Sequence, residues 1–362
     1  MKTPLYLFEA CKISRKDNTL FITVYQPDKP EDELHPCERL GKEEAAQLRL
    51  NEEEAWWMGT PKVIPIERID SILCFTHTTF NTSLVHFLAQ KAIPVHFFDF
   101  YGNYTSSLVH DAPNQNGKVL LAQVALYHSA EKRTWISRQL IKGAMFNMTR
   151  LIRYYQNRNE ELPLLNFDLD LFERQLDLVH TVEGVMGVEG SIRSKFYTAL
   201  DAILIPDLKL MERTYNPPRN PANALLSFLN MLLYSAVFQE VIKTPLNPTI
   251  GFLHEPGRQR YPLVYDLTEI FRPLITEQLL VSLIRKRIIK VDDFEKSLNG
   301  ALLTKDGRYK AARAFEQRLR TTIQHPSLKR NVSYRTLIRL EAYKIIKHVM
   351  EQQDYEPFTL NW

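Results

Sequence analysis

One histidine and a few acids stand close together in the second half of this 362-residue chain. His254 lies in Gly251-Phe252-Leu253-His254-Glu255-Pro256, and twelve residues later comes Asp266-Leu267-Thr268-Glu269-Ile270-Phe271-Arg272-Pro273. A third acid, Glu189, lies upstream in Gly187-Val188-Glu189-Gly190-Ser191-Ile192-Arg193. A neutral imidazole with two or three carboxylates suits a hard or borderline divalent ion that keeps open positions for substrate oxygens. In a chain with a basic end, such a site points toward phosphodiester chemistry.

The same residues also have plainer readings. On a helix, Asp266, Glu269 and Arg272 recur at i, i+3 and i+6 and share one side, which is equally the pattern of a solvated face. His254 alone could be a satisfied loop histidine. A zinc-protease motif needs a second histidine four residues on, and position 258 is arginine, so that chemistry is excluded. Spacing alone leaves the metal site and the wet helix face both open.

The elements around these residues set the frame. The 44% apolar and 24% charged composition is that of a folded chain rather than a disordered one. With only twelve glycines, a glycine-rich nucleotide-binding fold is not the expectation. Cys11, Cys37 and Cys74 are far apart with no Cys-x-x-Cys pair, which fits a reducing compartment. Met1-Lys2-Thr3-Pro4-Leu5 lacks the apolar run of a signal peptide, so a cytoplasmic protein is expected. Ala224–Ile242 is nearly all apolar, but Ser227, Asn230, Gln239 and Glu240 interrupt it, and a buried core helix is expected. The net charge of +4 is uneven: residues 281–347 carry 17 Lys and Arg against 6 Asp and Glu. Acids outnumber bases between Asp28 and Glu54, which reads as a solvated insertion.

The first hundred residues read as strands at 20–25, 63–66, 71–75 and 93–98, with a short helix at 82–91 and a hairpin return at 104–109. A turn-rich connector at 111–117 follows. Beyond it apolar residues recur at three and four, predicting helices near 118–155, 170–186, 190–202, 221–243, 263–289 and 334–351. Asn223, just after Pro221, is the expected cap of the apolar helix. The expected fold class is α+β: a β-sandwich or β-roll domain over 1–110, then a larger α-helical domain over 118–362 that carries the candidate ligands.

Several phrases carry a family resemblance. They are Gly187-Val188-Glu189-Gly190-Ser191-Ile192-Arg193 with Phe196-Tyr197, and Asn220-Pro221 with Asn223-Ala224-Leu225-Leu226-Ser227-Phe228. Asn247-Pro248-Thr249-Ile250-Gly251-Phe252-Leu253-His254-Glu255-Pro256 and Leu263-Val264-Tyr265-Asp266-Leu267 with Glu269 and Phe271-Arg272-Pro273-Leu274-Ile275 complete the set. In the first domain, residues 64–72 and 93–97 add to it. Together, in this order, they resemble the CRISPR-associated adaptation integrase and endonuclease family usually called Cas-one.

That resemblance implies a β domain and a helical catalytic domain, a homodimer, and a partnership with the small Cas-two adaptation protein and with DNA. Carried over by motif, Glu189, His254 and Glu269 would be the catalytic metal ligands for Mg2+ or Mn2+, with Asp266 as a supporting acid. Ser191-Ile192 departs from the small residues common after the Glu-Gly pair, and the 28–54 stretch is longer than usual. Arg193, Arg258, Arg260 and Arg272, close in sequence to these ligands, are expected phosphate contacts. Arg285, Lys286 and Arg287 open the basic stretch expected to hold DNA backbone. Two other readings remain: a nuclease that cuts without integrating, and a non-catalytic DNA-binding scaffold.

Overall fold

The computed structural model describes residues 2–24, 62–99, 102, 104–109, 116–158, 169–214, 217–257, 260–297, 300–325 and 328–360. The acidic stretch 28–54, Cys37 and Arg258 lie outside these residues. The chain divides into two compact units, 1–111 and 112–362.

In the first unit, β2 (Cys11–Lys16) and β3 (Thr19–Val24) turn tightly at Asp17-Asn18, with Asp17 at φ 53° in the left-handed region that acidic and amide residues tolerate. β2 buries Cys11 and Ile13, and β3 buries Leu20 and Ile22, the period-two pattern of a half-covered sheet. With β4 (Lys62–Pro65) and β6 (Thr78–Thr79) they form one four-stranded sheet, ordered β4-β3-β2-β6. The second sheet is ordered β1-β5-β7-β8, from β1 (Thr3–Leu7), β5 (Ile69–Cys74), β7 (Val95–Phe98) and β8 (Tyr104–Leu108). Helix α1 (Thr82–Gln90) supplies Leu84, Phe87 and Leu88 to the core that both sheets share. The Asn81 side chain accepts from Leu84 N at 3.0 Å and caps that helix. β1 and β2 escaped the sequence reading because Pro4 and the polar run Lys12, Ser14, Arg15, Lys16 mask their alternation.

The second unit is mostly helical: α2 (Gly117–His128), α3 (Ala130–Gln156), α4 (Leu169–Leu178), α5 (Val182–Ile203), α6 (Pro221–Val241), α7 (Pro262–Phe271), α8 (Gln278–Arg285), α9 (Lys305–Arg320) and α10 (Tyr334–Val349). Two small hairpins, β9–β10 (Phe294–Ser297, Gly300–Leu303) and β11–β12 (Thr322–Gln324, Asn331–Ser333), interrupt the helices where no strand was expected. Strands of three or four residues are too short to show a period.

α6 is long and apolar enough to cross a membrane by length and composition, but 83% of its apolar window is buried inside this unit. It is a core helix, with Leu225, Leu229, Leu232, Leu233 and Val237 fully enclosed. Its buried Glu240 is matched by Arg339 at 2.6 Å and Lys243 at 2.9 Å. The cap is Asn220, not Asn223: Asn220 Oδ1 accepts from Asn223 N at 2.9 Å. Pro221 takes the first helical position, where its missing N–H costs nothing, so the preceding residue becomes the cap. Asn223 instead binds the 210–214 loop from within the helix.

The expected break between 186 and 190 is absent. α5 runs through Gly187 and Gly190, so tertiary packing overrides the roughly 1 kcal/mol that each helical glycine costs. Its start is fixed by Thr181, whose hydroxyl accepts from Gly184 N at 3.1 Å. Glu189 and Arg193 consequently stand one turn apart on one helix.

Candidate active site

Asp266 organises the loop that carries His254. It sits one turn into α7, fully buried. Its Oδ2 accepts from Phe252 N at 2.5 Å and Leu253 N at 3.1 Å, and its Oδ1 accepts from His254 N at 3.0 Å. Successive backbone N–H groups around one carboxylate form an anion-binding nest. The same Oδ1 lies 2.8 Å from His254 Nδ1, which fixes the ring and leaves Nε2 as its outward nitrogen. Further staples hold the loop against α2 and α3. Gln123 Nε2 donates to Asn247 O and Ile250 O, and Arg133 Nε donates to Phe252 O at 2.8 Å. Glu255 accepts from Arg133 at 2.7 Å and from the Tyr127 hydroxyl at 2.9 Å.

Gly251 is required by this closeness. A Cβ there would lie 2.8 Å from Pro262 C and Cβ and 3.0 Å from Asp266 Oδ2. Gly251→Ala is therefore expected to cost about 1–3 kcal/mol by overpacking and to displace the His254 loop. Urea unfolding checks the first effect. An unchanged midpoint would show that the loop has room the geometry denies it.

Glu269 follows Asp266 by three residues and stays on the same side of α7. It accepts from Arg272 Nη1 at 2.6 Å and from Arg193 Nη2 on α5. Arg193 is the hub of the cluster: Nε donates to Glu189 at 3.3 Å and Nη1 to Glu277 at 2.9 Å. Eight helical steps of about 100° would leave Glu277 roughly 80° round from Glu269. The π-helical turn Pro273–Glu277 removes that offset by winding each step less. Pro273 has no N–H to continue the α-helical ladder, and Glu277 N bonds back to Arg272 O at 3.0 Å instead. The kink expected at Pro273 thus takes the form of a π turn that brings a further acid into the site.

Burial opposes ionisation of Glu269, but Arg272, Arg193 and His254 outweigh it and hold its carboxyl below the usual range. For Glu277 burial wins over the same two arginines and raises it. Burial disfavours the charged form of His254, while the Asp266 hydrogen bond and charge, with Glu269, raise its pKa overall. Burial pushes the nearby Tyr197 phenol up to about 12.

Glu189, His254, Asp266 and Glu269 are thus gathered in one neighbourhood. Their chemistry fits a divalent cation: an imidazole backed by a carboxylate, and two carboxylates that already share one cationic group. Arg193 fills the place between them, and among the described residues no three His, Cys, Asp or Glu side chains are arranged around a single ion.

The reading of Arg193 as a phosphate contact gives way. It is buried, and all three of its guanidinium nitrogens face carboxylates. Arg272 shares Glu269 and keeps a fifth of its side chain exposed. Arg260 is exposed beside the Tyr261 ring, and Arg258 lies outside the described residues. Arg285, Lys286 and Arg287 are exposed at the end of α8, although Arg285 Nη1 donates to Ile203 O at 2.9 Å. Glu277 was missed because its register depends on the π turn. Its signal in the sequence was the proline at 273 inside an otherwise helical pattern.

A β unit is thus followed by a helical unit that gathers a partly buried histidine with buried carboxylates. The family model described as CRISPR associated protein Cas1 matches residues 5–317, and the chain belongs to that family. A relative named CRISPR-associated endonuclease Cas1 3, from Thermodesulfovibrio yellowstonii, is 37% identical over 99% of both chains. The solved Cas1 protein of Thermotoga maritima is 27% identical, with TM-score 0.79 over 98% of this chain and 99% of that one. Two less similar structures share the fold. A casposase bound to integration product has TM-score 0.81 at 19% identity over 99% and 93% of the two chains. A Cas6-RT-Cas1–Cas2 complex has TM-score 0.77 at 18% identity, covering all of this chain and 36% of that one.

Proposed function

We propose that this chain is a metal-dependent DNA integrase and endonuclease that inserts short DNA fragments into a CRISPR array. The observation that carries the reading is the convergence of Glu189, Glu269 and the Asp266-anchored His254, in a chain with a 37%-identical relative named an endonuclease. The casposase with its integration product, and the complex holding Cas1 with Cas2, support strand joining and a small second adaptation protein as partner. A homodimer through which two such sites reach the two ends of a fragment is part of the same reading.

The reaction is a direct transesterification. The fragment's 3′ oxygen bonds to a target phosphorus while the target's own P–O3′ bond breaks and releases a 3′-hydroxyl. Glu189, Glu269 and His254 Nε2 would hold Mg2+ or Mn2+, which supplies charge neutralisation at the phosphate and favours the ionised nucleophile. The nitrogen ligand tilts the preference toward Mn2+. Asp266 holds the imidazole through Nδ1, which leaves Nε2 as the nitrogen free to take the ion. Arg272 balances the charge of Glu269 and is the arginine at the site's edge nearest to solvent among those bonded to it.

The test is incubation with a DNA fragment, repeat DNA, the second adaptation protein and Mn2+. Joined products are expected; cuts alone would establish a nuclease, and shifted DNA without new ends a scaffold. Glu189→Ala is expected to lose both joining and cutting while still folding, and retained activity would remove Glu189 from the chemistry.

Reversing the charge of Arg285, Lys286 and Arg287 is expected to weaken binding to unrelated DNAs by similar factors. The salt dependence should flatten by about 0.9 per lost phosphate contact. Because Arg285 is partly committed to Ile203, Lys286→Glu with Arg287→Glu should give most of the effect. Loss confined to one DNA sequence would rule out a backbone-holding role.

A further inference from the structure

We infer that Arg193 is a resident cation that occupies the metal's place between Glu189 and Glu269, and that Glu277 receives its guanidinium when a divalent ion enters. The inference rests on the metal-dependent reading above and adds a competition to it.

Three observations carry it. First, Arg193 bonds both proposed carboxylate ligands at once, Glu189 through Nε and Glu269 through Nη2. Carboxylates that share one guanidinium would repel without it, the more so because Glu269 is buried, so the guanidinium stabilises the metal-free site. Second, Glu277 is fully buried and bonds Arg193 Nη1 through Oε1, while its Oε2 is buried with no hydrogen-bond partner among the described residues. A buried acceptor left unused is costly, and here it is unspent capacity on a carboxylate that already holds Arg193. A guanidinium that slides toward Glu277 exchanges its bonds to Glu189 and Glu269 for a two-oxygen pairing that arginine geometry favours. Third, the π turn at Pro273–Glu277 is what presents Glu277 to Arg193, a local rearrangement of a kind that recurs at functional sites. The alternative role, in which Arg193 only orients Glu189 and Glu269 as ligands, leaves Oε2 of Glu277 unexplained.

The two roles differ in sign. As a competitor, Arg193 lowers metal affinity; as an orienting group, it raises it. The experiment counts free Mn2+ by electron paramagnetic resonance in titrations of the full chain, with thermal unfolding of each protein with and without Mn2+. Arg193→Gln is expected to unfold at a lower temperature without metal. It should bind Mn2+ on the order of tenfold more tightly, the scale on which groups around a site tune its metal. Its Mn2+-induced rise in Tm should exceed that of the wild type. Glu277→Gln removes the receiving charge without removing a ligand and is expected to bind Mn2+ more weakly, which keeps the idea testable if Arg193→Gln folds poorly.

Weaker or unchanged Mn2+ binding by Arg193→Gln overturns the competition while leaving the metal reading intact, as does unchanged binding by Glu277→Gln. Absence of Mn2+ uptake by the wild type and both variants overturns the metal reading and this inference together.

Discussion

Glu269→Ala is expected to abolish DNA cutting and joining and also to destabilise the fold by about 3–5 kcal/mol, because it leaves buried guanidinium charge uncompensated. Both effects trace to one side chain. Glu269 is 4% exposed, and its two oxygens are divided between Arg193 and Arg272. Removing a partner from a buried pair costs far more than the pair contributes, since the desolvation penalty of the remaining charge persists. Glu269→Gln separates the two consequences: it keeps the shape and one acceptor oxygen while losing the charge. Activity should vanish in both variants, with the smaller stability loss in Glu269→Gln. Cleavage assays and urea unfolding at matched conditions read the two effects independently. A stable, active Glu269→Ala would show that neither the ion pairs nor the proposed ligand role matters.

The sequence disclosed the cluster's members unevenly, for physical reasons. The spacing of Asp266, Glu269 and Arg272 showed that they share a helix side, but spacing cannot tell a wet face from a buried one, and the structure buries both acids. Glu189 and His254 stood out by residue type and took their ligand roles from the resemblance; the meeting of Glu189 with Glu269 depends on how α5 packs, which no local pattern encodes. Arg193 shows the limit most clearly. Its type suggested a phosphate contact, yet a cation's partner is decided by what lies opposite it, and three carboxylates do. In the fold, the period-two strands with strong side chains and the long apolar helix were legible. β1, β2 and the two late hairpins were not, because short or half-polar strands carry too few alternations. The Asn220 cap was misplaced by three residues since the chemistry of capping was right but Pro221's own preference for the first helical position was given too little weight.

Asp266 and Glu269 lie one turn apart, and a Mn2+ titration of strand transfer should distinguish their roles. Asp266 spends its oxygens on three backbone N–H groups and on His254 Nδ1. None of its bonds reaches Glu189 or the two arginines, so its contribution passes through the loop and the imidazole. Asp266→Asn retains one acceptor oxygen and turns an N–H2 toward groups that are themselves donors. Each N–H thereby stranded costs about 1–3 kcal/mol, so the variant should be less stable as well as less active. Loss of a group that orients a ligand typically lowers metal affinity or activity about 10–100-fold. That deficit can be refilled by mass action, because Glu189, His254 and Glu269 are all still present. Asp266→Asn is therefore expected to regain part of its activity as Mn2+ rises, at a temperature where unfolding measurements show it folded. Glu269→Ala lacks a donor that no metal concentration restores and should stay inactive throughout the titration. Rescue of Glu269→Ala alongside an inert but folded Asp266→Asn would reverse the assignment and make Asp266 the direct ligand, with the backbone nest as its scaffold.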